Sequence, residues 1–203
     1  MMHARRFTVS WIALFTLLAL LVLAMTGCAR RRETASHETP AATSAADRDA
    51  FSVYDLDGRW RDQAGTTRSL ASLRGAPVLL AMVYTHCTAT CPLAVSELKR
   101  IAAHEPDVRF VLVSLDPARD DPERLARYAA DRALDARWTL LTGPESAVRD
   151  LAATLNVRYR RVTPDDLSHS NLITLLDPEG RIVRQTSGPM DDAAIAELKT
   201  TAR

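Results

Sequence analysis

An excess of charge of either sign is missing from this 203-residue chain: 26 Lys+Arg stand against 25 Asp+Glu, for a formal net charge of +1. Without Met1 to Gly27, whose only charges are Arg5 and Arg6, 24 basic residues face 25 acidic ones. That balance gives no electrostatic case for binding nucleic acid. Aromatic residues make up only 5% and glycine only 7 positions, which excludes fibrous and glycine-rich low-complexity classes. Three cysteines are too few for a disulfide scaffold, and two of them, Cys87 and Cys91, stand so close together that they suggest a site. There is one long apolar run, so the chain is not a polytopic membrane protein. What remains, 47% hydrophobic and 25% charged, describes one main globular core plus a short appendage.

The appendage is the amino end. Arg5 and Arg6 precede an uncharged run from Phe7 to Ala29 with an apolar heart from Trp11 to Met25. Residues 1–27 therefore read as a signal peptide or a membrane anchor, and either one exports the domain behind it. The run ends in Met25-Thr-Gly-Cys28, which resembles the bacterial lipobox, with Cys28 as the lipidated residue and new amino terminus. Arg30 to Arg32 would oppose Arg5 and Arg6 in orienting an uncleaved span, which favours cleavage at Cys28. With the lipid-bearing Cys28, residues 28–50 form a flexible tether, small, polar and without apolar period. The expected location is the bacterial cell envelope, with the domain tethered to a membrane and facing away from the cytoplasm.

The folded domain is expected over 51–203. Phe51 to Leu56 alternates as a strand does, Asp57-Gly58 supplies a turn, and Arg59 to Asp62 can return, which predicts an opening hairpin. Pro77 to Tyr84 and Val108 to Leu115 are continuous apolar runs, the pattern of strands buried on both faces, with a helix from Pro92 to His104 between them. That is a βαβ unit. Helices over 122–134 and 145–155, a short strand at Trp138 to Leu141 and another strand at Val157 to Val162 continue the alternation. A hairpin about Asp177-Pro-Glu-Gly180 and a last helix over 191–202 complete it. The order is that of an α/β, thioredoxin-like fold with an added amino-terminal β-hairpin.

Cys87-Thr-Ala-Thr-Cys91-Pro92 follows a buried strand at the sheet edge where α/β proteins place their ligands. Pro is tolerated at the first helical position and not in a helix interior, so the helix is expected to begin at Pro92. Cys87 and Cys91 would then sit at its amino terminus, where free N–H groups favour thiolate over thiol. The spacing alone allows a shared metal ion, a redox-active disulfide, a structural disulfide or two inert thiols. His86 adjoins Cys87 but is expected to point away, and His104 reads as a helix-end cap. His169 lies in the polar stretch Thr163 to Ser170, just before a strand whose approach faces the cysteine-bearing helix. Two thiolates and one imidazole form a soft donor set suited to Cu(I), and to Cu(II) with a further ligand. Asp116 and Asp120 read as turn and cap residues or as an acidic rim or fourth copper contact, and Met82 reads as core.

Val83 to Pro92, Val113 to Pro122 and His169 to Gly180 together resemble the Sco/SenC family in three separated blocks, over about Phe51 to Ala202. The resemblance implies copper as the metal, held by Cys87, Cys91 and His169, and delivery to the CuA centre of cytochrome c oxidase. The implied partners are the oxidase's copper-binding subunit or another copper acceptor, and the membrane. Ser168 stands where the family commonly has Asp, so a carboxylate partner for His169 would come from Asp165 or Asp166. The competing expectation is a thiol:disulfide oxidoreductase or redox sensor using Cys87 and Cys91. Against it, the spacer has three residues rather than the two of thioredoxins, and no proline directly precedes Leu172.

Overall fold

The computed structural model describes residues 51–87 and 91–201. The expected signal or anchor segment, Cys28 and the tether lie outside the described residues. Among the described residues, no helix is long and apolar enough to cross a membrane.

Three apolar runs become the centre of the sheet. Strands β3 (Val78–Val83), β4 (Arg109–Ser114) and β5 (Trp138–Thr142) run parallel, with β4 in the middle. Every side chain of β3 is buried, as a strand covered on both faces requires. The helices between these strands are α1 (Cys91–Ala102) and α2 (Pro122–Asp131), and α3 (Glu145–Thr154) follows β5. Asp121 caps α2 by accepting the Arg124 N–H at 2.8 Å, with Pro122 in its first turn. Beyond β3 the sheet continues antiparallel with β8 (Ile173–Leu176) and β9 (Ile182–Thr186), and α4 (Asp192–Thr201) closes the chain. Beyond β5 lie β1 (Trp60–Asp62) and β2 (Thr67–Arg68), giving the order β2-β1-β5-β4-β3-β8-β9.

The core runs through the middle of this sheet. Phe110 stacks on Trp138 with centroids 4.7 Å apart, and Trp60 is fully buried. Burying such side chains stabilises by about 1.5–3 kcal/mol each. Trp60 is gripped by two glycines: a Cβ on Gly58 would lie 2.6 Å from its Nε1, and one on Gly143 would lie 2.7 Å from its Cε3.

Two sequence expectations are corrected. Val53–Asp55 is a 3-10 turn rather than a strand, because Ser52 caps it by accepting the Tyr54 N–H. The antiparallel hairpin at this end forms later, between β1 and β2. The strand expected over 157–162 forms, shifted to 159–163, but outside the main sheet. As β6 (Tyr159–Thr163) it pairs with β7 (Asp166–His169) in a separate two-stranded ribbon, and His169 is its last residue rather than part of a loop.

Candidate metal centre

Strand β3 ends at Val83 inside the core, and the next four residues carry the chain to Cys87. Cys87 N–H donates to the Tyr84 carbonyl at 3.2 Å, a tight turn that holds the thiol at the sheet edge. Helix α1 opens on Cys91, with Pro92 in its first turn where the missing N–H leaves no bond unmade. Cys91 N–H points at Cys87 Sγ at 3.4 Å. Neither cysteine is in a disulfide, and both are buried.

The expectation of activated thiolates does not hold for Cys91. Burial pushes its thiol well above the ordinary range, with Cys87 adding to the rise through a hydrogen bond. At 0% exposure the loss of hydration outweighs the helix amino terminus, so Cys91 is a neutral thiol when no metal is bound.

His169 arrives from the other end of the domain. On β7 it pairs with Tyr159 across the ribbon, and its side chain alternates to the same face as buried Leu167. Nδ1 lies 3.1 Å from the Ser170 carbonyl, which can only accept, so Nδ1 carries the proton. Nε2 is then the lone-pair nitrogen, and it faces Cys91 Sγ at 3.3 Å. The carboxylate partner expected for His169 is absent from this nitrogen: Asp165 takes Arg119 at 3.0 Å, and Asp166 takes the Tyr84 hydroxyl at 2.6 Å. A backbone carbonyl does the orienting instead.

Two struts hold the ribbon in place, through Tyr84 and Asp116, and a third, at Asp120, braces the cysteine loop against β4. The Tyr84 hydroxyl bonds to Asp166 and to the Leu167 carbonyl at 3.0 Å, and its ring lies edge-on to His169 at 5.7 Å. Asp116, 1% exposed, accepts from Arg119 on its own loop at 2.7 Å and from Arg161 on β6 at 2.9 Å. Burial raises its pKa, but the two guanidiniums outweigh burial and leave the carboxyl below the usual range. Asp120, fully buried, accepts from Thr85 N–H at 3.0 Å, Thr85 Oγ1 at 2.6 Å and Ser114 Oγ at 2.6 Å. The two aspartates are therefore neither an acidic rim nor metal contacts, and their buried carboxyl groups fasten loops together. His86 lies 3.5 Å from Asp116 through Nε2 and edge-on to Tyr84 at 4.8 Å. Met82 and Met190 both belong to the hydrophobic core. Sequence reasoning missed Tyr84 and Arg161 as parts of the site. The signal for Arg161 was its place two residues from Tyr159 on a strand that alternates against Leu167 and His169.

The ligand atoms of Cys87, Cys91 and His169 all lie within 4.8 Å of one another, and this is the group of three such residues found among the described residues that could hold a metal ion. Two soft sulfurs and one imidazole nitrogen fit a low-coordinate soft metal and fit a hard cation poorly. Fold and site thus define a thioredoxin-like protein with a dithiol–imidazole centre. The family model SCO1/SenC matches residues 51–202, and the chain belongs to that family. The Bacillus subtilis SCO1 protein homologue is 28% identical over 155 residues, covering 70% of this chain and 80% of its own. The human mitochondrial SCO2 homologue is 32% identical over 130 residues, 59% of this chain and 48% of the human protein. Bradyrhizobium japonicum ScoI, solved with copper bound, is similar at TM-score 0.59 and 28% identity, over 71% of this chain and 96% of that one. BsSco, a member of the Sco family of cytochrome c oxidase assembly proteins in which a disulfide switch is identified, matches at TM-score 0.63 and 26% identity, over 73% of this chain and 94% of that one.

Proposed function

We propose that this chain is a membrane-tethered copper chaperone that carries copper on Cys87, Cys91 and His169 and hands it to the CuA centre of cytochrome c oxidase. One observation carries the reading. The ligand atoms of the two cysteines and His169 converge within 4.8 Å although 78 positions of sequence separate Cys91 from His169. Family membership and the copper-bound ScoI relative support copper as the cargo. The Cys91 thiol gives up its proton as copper enters. Release then follows by stepwise exchange of these three donors for those of the acceptor. A chain exported by residues 1–27 and lipidated on Cys28 would hold the domain at the bacterial membrane surface, outside the cytoplasm, with 28–50 as tether.

The test is a Cu(I) competition titration of the reduced full chain against its variants. Cys87→Ser and Cys91→Ser should each abolish tight binding. His169→Ala should weaken it, sparing Cu(I) more than Cu(II), because two thiolates alone suit Cu(I). Unchanged affinity in the His169 variant removes that residue from the ligand set.

A second reading is favoured by the close approach of the two cysteines, which form no disulfide here, and by the disulfide switch of BsSco. A disulfide-class oxidant could take two electrons and two protons from Cys87 and Cys91, leaving a disulfide here and two thiols on the oxidant. Such a step would switch metal binding off. The burial that keeps Cys91 protonated slows its attack as a nucleophile, which argues for a switch rather than for a dedicated oxidoreductase.

A further inference from the structure

The ribbon that delivers His169 has a second face. Strand β6 alternates, so Tyr159 and Arg161 share the side of Leu167 and His169, while Arg158 and Arg160 share the opposite side with Ser168 and Ser170. The register makes this explicit: Arg160 pairs with Ser168, and Arg158 N–H donates to Ser170 Oγ at 2.9 Å. Both Arg158 and Arg160 are exposed. Of the ribbon's other charges, Arg161 pairs with Asp116 and Asp165 with Arg119, while the Asp166 carboxylate accepts from the neutral Tyr84 hydroxyl and keeps its charge. The two outer arginines thus concentrate positive charge on one small element of a chain whose net charge is only +1. At the edge of this face a depression of about 380 Å³ is lined by Arg158, Arg160, Ser168 and Ser170, and also by Tyr159 and His169 of the other face. His169 is part of that lining and, on the copper-carrying reading, is also a metal ligand.

We propose that this basic depression is the docking surface for a copper-exchange partner whose metal-binding atoms are flanked by carboxylates on a polypeptide. Guanidinium groups bind carboxylates through paired N–H donors, and their field raises the encounter rate with an anionic partner at low salt. Docking here brings the partner against the strand that ends in His169, the ligand whose exchange opens the soft site. Charge on this face therefore sets the rate and choice of partner and leaves the equilibrium hold on copper to the three ligands.

This inference rests on the copper-carrying reading, and the experiment separates the two. Two synthetic acceptor peptides share a Cys-x-x-Cys pair, one flanked by four aspartates and the other by four asparagines. Cu(I) transfer from the loaded full chain to each is followed by stopped flow, beside the Arg158→Glu/Arg160→Glu double variant. Fluorescence anisotropy of the labelled peptides on the metal-free chain gives a readout independent of copper. The aspartate peptide should accept copper at least about tenfold faster than the asparagine peptide at low salt, and the advantage should vanish in the double variant and in high salt. The double variant should keep the wild-type Cu(I) affinity, and metal-free wild type should bind the aspartate peptide more tightly than the variant does. Equal transfer and equal anisotropy for the two peptides, or an advantage that survives charge reversal, overturns the proposal. A chain that binds the aspartate peptide through Arg158 and Arg160 but holds no Cu(I) would instead overturn the chaperone reading and leave the docking surface standing.

Discussion

His169 Nε2 lies 3.3 Å from Cys91 Sγ across 78 residues of sequence. Nothing local joins these residues, so their contact is a product of the whole domain: β3 and α1 fix the sulfur, and the β6–β7 ribbon fixes the ring. Any change that lets the ribbon drift from the cysteine loop should be read first at the metal.

Copper binding should depend on pH through Cys91. Its thiol is held protonated by burial, so binding must expel that proton. The apparent association constant should rise about tenfold per pH unit through the neutral range from this group alone. Chelator competition at several pH values measures the slope, and a flat profile contradicts a buried neutral thiol.

Asp116→Asn should loosen the ribbon while preserving volume. The variant leaves Arg161 without its carboxylate and Arg119 with Asp165 alone, both guanidiniums being partly open to solvent. A loss of about 1–3 kcal/mol is expected in denaturant unfolding, and copper should dissociate about tenfold or more faster. Wild-type values of both would show that the strut does not position His169.

All four tyrosines are held protonated. Burial is the first cause at Tyr54, Tyr84, Tyr128 and Tyr159, and it lifts Tyr128 to about 12. At Tyr84 the Asp166 carboxylate and Cys87 add to the rise. A phenol raised in the folded state stabilises fully below the unfolded value of 10.0 and loses that contribution as pH climbs past it. Ultraviolet titration should show little tyrosinate at pH 10 in the native protein, and a full signal in urea. Normal titration of all four while folded contradicts their burial.

Gly143→Ala tests the grip on Trp60. The new Cβ would meet the indole at 2.7 Å in a core without slack, and overpacking of this kind costs about 1–3 kcal/mol. The thermal midpoint should fall while the copper affinity of the surviving folded fraction stays near wild type. An unchanged midpoint would mean the indole moves freely.

Much of this architecture is legible in the sequence where hydrophobicity alone decides. The runs at 77–84 and 108–115 have no alternative to buried parallel strands, and the Cys87, Cys91 and His169 set stands out by residue type. Of the ribbon only the β6 strand is legible; β7 and its pairing are not, because β6 is nearly all polar or exposed and the buried anchor, Leu167, lies on the partner strand. The Cys91 thiol is misjudged for a related reason. A helix amino terminus is visible in sequence, whereas the complete burial that overrides it depends on residues brought together from elsewhere. Asp116 and Asp120 look like surface turn residues, and only the tertiary fold shows them buried under Arg161, Arg119 and Thr85.

The central claim is that Cys87, Cys91 and His169 hold one copper ion. The most direct measurement is an anaerobic titration of the full, reduced chain with Cu(I) and with Cu(II), read by chelator competition and visible absorption. The account predicts one tightly bound equivalent of Cu(I), and with Cu(II) a thiolate-to-copper charge-transfer band. Absence of tight binding by the verified dithiol form would contradict it.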